Sequence, residues 1–185
     1  MKKIIISVFS FLSVSLFSQV IIGDEVGTAI DKTSVLLEFA NTNNKGIIIS
    51  YVRTLPANPE PGTLLLDVSD ATKARIKYYS AKDVNEPWED LSGKDADVTA
   101  QLSIQSASIT ENATAKAIIG SPESLADGAL VLESNDKAMV LPIVDDVNNI
   151  PSPSPGMLVY INKSGAKRLA VFNGNTWAFW QEATN

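Results

Sequence analysis

The sequence contains neither cysteine nor histidine. Without cysteine the chain forms no disulfide bond, and it cannot carry a lipid on a cysteine behind a leader peptide. Without histidine it also lacks the usual zinc-binding sets and the Ser–His–Asp and Cys–His pairs of nucleophilic enzymes. The fold must therefore be stabilised by burial of apolar side chains, either within one chain or between subunits.

Basic residues are few, with 15 Lys and Arg against 21 Asp and Glu and a formal net charge of −6. They are also scattered along the chain. Proteins bind the phosphate backbone of nucleic acids through clusters of Lys and Arg, which displace counterions. The composition therefore predicts no nucleic-acid partner.

Long apolar runs are absent except at the N-terminus. Lys2 and Lys3 precede the run Ile4–Phe17, which is typical of a signal peptide and too short for a membrane span. We predict a signal peptide over residues 1–19, with either Ser18 or Gln19 as its last residue. Ser13-Val14-Ser15 is the alternative cleavage signal, since it has the small-x-small pattern, but it would shorten the apolar run. The mature chain is then exported to the extracellular space or cell surface, with the periplasm as the alternative, and has no transmembrane segment.

No spacing singles out a catalytic pair among the acidic residues, so we predict that the protein is not an enzyme and needs no cofactor. Asp67, Asp70, Asp145 and Asp146 offer the oxygen ligands that calcium prefers. The sequence has no Asp-x-Asp-x-Asp-Gly loop, however. We interpret these carboxylates as turn residues and predict no metal site.

Two proline-rich turns indicate an internal repeat. Gly62 and Gly156 each follow such a turn and precede an apolar run, and they lie 94 residues apart. The residues that define the turns and the hairpins after them are Pro59, Pro61, Gly62 and Trp88 in the first copy and Pro153, Pro155, Gly156, Asn173, Gly174 and Trp177 in the second.

Further blocks match in the same order. Lys45–Ile49 resembles Lys137–Leu141, and Val35–Glu38 resembles Leu130–Glu133. Similar blocks in the same order and at nearly the same spacing are the signature of repeated structural units. We predict two related units, at residues 20–92 and 117–185, joined by a polar linker over residues 93–116.

Each unit is predicted to consist of short strands. Thr63–Ser80 forms a hairpin because an apolar run, a turn rich in Asp, Ser and Thr, and a second alternating run follow one another. In the second unit, Asn173-Gly174 lies between two apolar runs, which is the strongest short-range hairpin signal. The predicted fold class is all-β, with two related units of short antiparallel strands and hairpins. Within the linker, Leu102–Ile104 is considered as a short strand.

Aromatic residues concentrate at the end of each unit. Trp88 and Trp177 recur in both units, so we assign them to the core. Large aromatic side chains with a polar atom are common at binding surfaces, and they also fill hairpin cores. We predict that the binding contacts are Trp180, Phe179, Tyr79 and Tyr78.

The order of Pro-x-x-Gly, an apolar run and Asn-Gly-x-x-Trp resembles a module of secreted surface proteins of Bacteroidota. It is also similar to segments of tail-fibre-like and adhesin-like proteins. The resemblance covers Lys45–Trp88 and Lys137–Trp180, and the first copy departs from it at Ser50, where the second has Pro142. It implies an exported, β-rich structural or binding role and no catalytic residues.

These observations predict a non-catalytic secreted or cell-surface protein, adhesin-like or fibre-like, that acts through protein–protein contacts in a larger assembly. Unpaired strand edges accept further strands, so a protein partner or self-association is expected. Two alternatives remain open. One is a carbohydrate-binding module, with polysaccharide stacked on exposed aromatic residues, and the other is an accessory subunit of an outer-membrane complex.

Overall fold

The computed structural model describes residues 19–40, 44–103, 115–126 and 128–180. It confirms the all-β fold class. The described residues form these strands, in chain order: β1 (Val20–Ile22), β2 (Val35–Phe39), β3 (Ile47–Ile48), β4 (Tyr51–Val52), β5 (Leu64–Asp67), β6 (Arg75–Tyr79), β7 (Trp88–Asp90), β8 (Ala117–Ile119), β9 (Leu130–Leu132), β10 (Ala138–Met139), β11 (Ile143–Val144), β12 (Met157–Ile161), β13 (Arg168–Phe172) and β14 (Trp177–Trp180).

Two sheets, which we call the first and the second hairpin sheet, have the same order and direction of strands. In the first, β4 is parallel to β5, and β5, β6 and β7 form an antiparallel meander. In the second, β11 is parallel to β12, and β12, β13 and β14 form the meander. The predicted hairpins at Thr63–Ser80 and around Asn173-Gly174 are therefore present.

Parallel pairs were not predicted from the sequence. Besides β4–β5 and β11–β12, β1 runs parallel to β2, β2 to β10 and β8 to β9. Parallel neighbours need a crossover connection, because a tight turn can join only antiparallel strands. The proline-rich segments provide such connections between β4 and β5 and between β11 and β12, since proline cannot extend the ladder of a sheet.

Strands from the two predicted units also pair with each other. β10 extends the β1–β2 sheet, and β3 pairs antiparallel with β12. Each pairing joins a strand from residues 20–92 to a strand from residues 117–185. Contact between the two parts of the chain is therefore made by backbone hydrogen bonds as well as by side chains.

Buried apolar residues form two clusters. The first, the shared cluster, contains Leu66, Val68, Ala74, Ile76, Leu91, Ala96, Val98 and Leu102 together with Leu158 and Val171 from the second hairpin sheet. The second lies on the opposite face of β12 and contains Val144, Val147, Ile150, Met157, Val159, Ile161 and Ala170. Strand β12 is buried on both faces because its successive side chains point alternately to the two clusters.

Part of the segment predicted as a linker packs against the shared cluster. Ala96 and Ala74 exchange two backbone hydrogen bonds, of 2.8 and 3.2 Å, and Val98 is fully buried. The strand considered at Leu102–Ile104 is instead a 3₁₀ turn over Gln101–Ser103, and Ile104 lies outside the described residues. The boundaries of the two units remain a prediction.

The predicted signal peptide lies outside the described residues except for Gln19. Within the described ranges, no helix has the length and apolar character needed to cross a membrane.

Candidate interaction surface

An aromatic pair lies at the same place in both hairpin sheets. Tyr79 faces Trp88 across β6 and β7, with ring centroids 5.2 Å apart and ring planes inclined by 59°. Phe172 faces Trp177 across β13 and β14, also at 5.2 Å, with an inclination of 45°. Tilted pairs at this distance add stabilisation beyond the area they bury. Both tryptophans are partly buried, and Trp177 packs against the second cluster.

Trp180 is 45% exposed, but its indole is held in place. The Nε1–H donates a hydrogen bond of 2.7 Å to the carbonyl oxygen of Leu91, just beyond β7. The side chain thus ties the end of the second hairpin sheet to the first. A large apolar surface remains accessible on a side chain that is already oriented, which suits a contact residue.

The other predicted contact residues are not brought together with Trp180. Phe179 is 43% exposed and lies under the Arg168 guanidinium, whose central carbon is 4.4 Å from the ring centroid. Alternation along β14 places Phe179 on the opposite side from Trp180. Tyr79 packs on Trp88, and Tyr78 packs against the shared cluster. The binding role of these four residues remains a prediction.

The two proline-rich turns end in matching geometry. Gly62 and Gly156 both have positive φ, +91° and +78°, a region that favours glycine. The N–H of Gly62 donates to the carbonyl oxygen of Tyr79, and that of Gly156 donates to the carbonyl oxygen of Phe172, each at 2.8 Å. In the second turn, the Tyr51 hydroxyl also donates to the Pro155 carbonyl at 2.8 Å, which links this turn to the first hairpin sheet.

Asn173 is a buried polar contact between the second hairpin and residues 93–103. Its Oδ1 accepts hydrogen bonds from the N–H groups of Asn175 and Thr176, at 3.0 and 2.9 Å, and its Nδ2 donates to the Lys94 carbonyl at 2.7 Å. Gly174 has φ +114°, and a Cβ atom there would lie 2.7 Å from Val98 Cγ1. The Asn-Gly pair therefore forms both a hairpin turn and a docking point for the segment that follows β7.

We expect Asn173→Ala to reduce the free energy of unfolding by about 2 kcal/mol, because it leaves buried backbone groups without partners. Chemical denaturation followed by tryptophan fluorescence measures this change. Asn175→Ala is the matched control, since that side chain is exposed and only its backbone N–H contacts Asn173. Equal stability of the two variants would contradict the assignment of Asn173.

A buried carboxylate in β2 was not predicted from the sequence. Glu38 is fully buried and accepts hydrogen bonds from the Gln19 side chain at 2.6 Å and from the N–H groups of Thr28 and Ala29, both at 2.9 Å. The ammonium of Lys32 forms an ion pair with it. Burial raises the pKa of Glu38, but the hydrogen bonds from Lys32, Ala29 and Thr28 and the Lys32 charge outweigh it and hold the pKa below the ordinary value.

The loop over this carboxylate depends on a glycine. Gly27 has φ +70°, and a Cβ atom on it would overlap the Glu38 carboxyl group. The signal in the sequence was a single acid inside the apolar strand Val35–Phe39, preceded by a loop with glycine and lysine. The matched acid of the second unit, Glu133, is exposed, so the repeat alone did not distinguish the two.

Three of the four carboxylates considered as calcium ligands, those of Asp67, Asp70 and Asp146, have other partners. Asp67 pairs with the Lys77 ammonium at 2.8 Å and accepts from Ser69; burial raises its pKa, and these contacts lower it further than burial raises it. Asp70 accepts from Thr72, and Asp146 caps the 3₁₀ turn Val147–Asn149. Among the residues that the structure describes, no three acidic side chains are grouped so that they could hold a metal ion.

Several strand edges are open within the described ranges. β10 is the last strand of its sheet, β9 pairs only with β8, and β3 pairs only with β12. Two apolar side chains stand on these edges, Ile48 at 51% and Leu130 at 52% exposure. Open edges offer N–H and C=O groups to further strands.

Comparison with known proteins gives a match for the C-terminal part of the chain. Residues 118–185 match the family model described as a phage tail like trimerisation region. Neither a curated protein nor a solved structure matches the chain. The matched region contains the second hairpin sheet and β9 and β10, so it is this part of the chain that is similar to trimerisation regions of phage-tail-like proteins.

Proposed function

We propose that the protein is a non-catalytic structural subunit that self-associates as a trimer and forms part of a fibre-like assembly outside the cell. The observation that carries the proposal is the match of residues 118–185 to a trimerisation region. The open strand edges of the same region support it, because they provide a means of binding other copies. An adhesin role is the specific form of this proposal in which the assembly contacts another surface.

The arrangement of polar groups agrees with a structural role. The carboxylates described above are used to cap turns and form ion pairs, and Asn173 joins two segments of backbone. Catalysis needs a positioned acid, base or nucleophile in a site that accepts substrate. The use of these polar groups in turns and ion pairs is that of a scaffold.

We propose export with removal of residues 1–18, so that Gln19 becomes the first residue of the mature chain. The support is the hydrogen bond from the Gln19 side chain to the buried Glu38 carboxylate, which cleavage after Gln19 would remove. The intact mass of protein recovered after export distinguishes the two sites. A mature chain beginning at Val20 would contradict this proposal and leave trimer formation untouched.

The carbohydrate alternative depends on a flat row of exposed aromatic rings. Trp180 and Phe179 lie on opposite sides of β14, and Phe179 is covered by Arg168. Tyr79 is packed on Trp88. This arrangement does not favour stacking of a sugar chain, and no observation favours an accessory subunit of an outer-membrane complex over a self-associating subunit.

Light scattering after size exclusion tests the proposal on the mature chain. We expect a mass of three chains at micromolar concentration. A chain that remains monomeric over the accessible concentration range would contradict the proposed function.

A further inference from the structure

We propose that β10 of one copy pairs antiparallel with the beginning of β5 in a second copy, at Thr63 and Leu64. We call these two residues the open half of β5, because β4 pairs only with Leu66 and Asp67. The pairing of β3 with β12, which joins the two halves of one chain, is then repeated between chains. This inference rests on the proposed self-association and specifies the surface by which it takes place.

Strands β5 and β12 are equivalent in their backbone hydrogen bonds as well as in their order. Both begin after a positive-φ glycine whose N–H bonds to the third strand of the sheet at 2.8 Å. Each strand then makes two backbone hydrogen bonds of 2.9 Å to its parallel neighbour, which is β4 for β5 and β11 for β12. They run from Leu66 and Val68 to Ser50 and Val52 in one sheet, and from Tyr160 and Asn162 to Pro142 and Val144 in the other.

The two strands differ in what covers their first half. On β12, β3 pairs Ile48 with Met157 and Ile47 with Leu158, and the Ile49 N–H donates to the Gly156 carbonyl at 3.1 Å. On β5, β4 pairs only with Leu66 and Asp67. In the described part of the chain, no strand pairs with Thr63 and Leu64 on that side.

The sequence repeat identifies the missing strand as β10. Because Lys45–Ile49 matches Lys137–Leu141, Ile47 corresponds to Met139 and Ile48 to Val140. In its own chain β10 pairs with β2 on one side, and no pairing joins it to β5 among the described residues. Because the other side of β10 is open in the described part of the chain, β10 of a second copy can supply the missing strand.

The free hydrogen-bonding groups on the two edges match. The N–H groups of Ala138 and Val140 donate to the carbonyl oxygens of Ser34 and Leu37, both at 2.8 Å. The N–H and C=O groups of Met139, which lies between them, therefore point away from β2. The N–H of Leu66 points towards β4, so Leu64, two residues earlier, presents its N–H and C=O to the same, open side. The register taken from β3 and β12 then pairs Met139 with Leu64 and Val140 with Thr63.

The same two copies gain a second strand pair. Within one chain β10 runs parallel to β2, and the equivalent contact between chains places β3 beside β9. Ile48 and Leu130, the exposed apolar residues on these edges, are then covered. Each copy uses one surface to contact one neighbour and a different surface to contact the next, an arrangement that closes into a ring when the rotation fits three copies.

A disulfide between copies tests the pairing, and the absence of native cysteine makes the result easy to read. Thr63 and Val140 would form a non-hydrogen-bonded antiparallel pair, whose Cα separation of about 4.5 Å suits a disulfide. After oxidation of the Thr63→Cys/Val140→Cys variant, we expect most of the protein to run as a covalent trimer in denaturing, non-reducing gels. Either single variant should give little of this species.

The matched control is Ile48→Cys/Met157→Cys, the same pair within one chain, which should give an internally cross-linked monomer. If this control closes and light scattering shows a trimer, but the Thr63/Val140 pair gives no interchain bond, the edge pairing is wrong and the proposed function stands. If the unmodified chain is a monomer, both are wrong. An internal Thr63/Val140 disulfide also contradicts the proposal.

Hydrogen exchange on the unmodified chain provides a test that does not depend on a variant folding. We expect the Leu64 amide to be protected in the oligomer to a degree similar to that of its counterpart Leu158, which is paired within the chain. Fast exchange at Leu64 in a trimer would overturn the pairing.

Discussion

Leu158→Ala is expected to lower the free energy of unfolding by about 3 kcal/mol, because it removes a buried leucine and leaves a cavity. Leu158 belongs to the second hairpin sheet, but it is buried in the shared cluster with Leu66 and Ile76 of the first. The destabilisation should therefore affect both halves of the chain in one transition. Denaturation followed by circular dichroism and by tryptophan fluorescence measures both the size and the cooperativity of the change.

Leu125→Ala is the matched control, because Leu125 is fully exposed and its truncation should change stability by less than about 0.5 kcal/mol. All variants must be compared at one protein concentration, since association adds to the apparent stability. If Leu158→Ala produced a second, separate transition and left the first hairpin sheet at its original midpoint, the two sheets would not share a core.

Glu38→Gln is expected to cost about 3 kcal/mol at neutral pH, because it breaks a buried, fully hydrogen-bonded ion pair. The glutamine amide would place N–H groups where the carboxylate now accepts from Lys32 and Gln19. Glu133→Gln is the control, since it makes the same chemical change at an exposed position of the second unit. Thermal or urea denaturation of the two variants gives the comparison.

The effect of Glu38 should also depend on pH in a defined direction. Its pKa in the folded protein lies below the ordinary value of 4.5, because the hydrogen bonds and the Lys32 charge outweigh the effect of burial. The stabilisation is therefore fully present above about pH 4.5 and is lost as the pH falls through the folded pKa. The difference between wild type and Glu38→Gln should shrink below pH 4.5, and a difference that grew with acidification would contradict this account.

Local sequence signals predicted the hairpins but not how they combine. Asn173-Gly174 and the alternating run after Gly62 determine neighbouring strands that are close in sequence, and both hairpins are present. The parallel pairs depend on segments that are distant in sequence and have no turn signal of their own. The same applies to β3 on β12, where two isoleucines complete a sheet that lies mostly in residues 143–180.

The polar contacts were missed for a similar reason. Glu38 stands among apolar residues, and only the folded loop over it shows that Thr28, Ala29 and Lys32 provide its hydrogen bonds. Residues 93–103 have the polar composition of a linker, but three small or apolar side chains, those of Ala96, Val98 and Leu102, pack into the shared cluster. Composition over a window does not show which few side chains point inward.

The most direct test of the central claim is the solution mass of the mature chain over a dilution series. A subunit joined to its neighbours by strand pairs should retain the mass of three chains from micromolar concentration downward until it dissociates, and the same mass should appear in native mass spectrometry. A mass of one chain throughout the series would contradict both the trimer and the pairing of its strand edges.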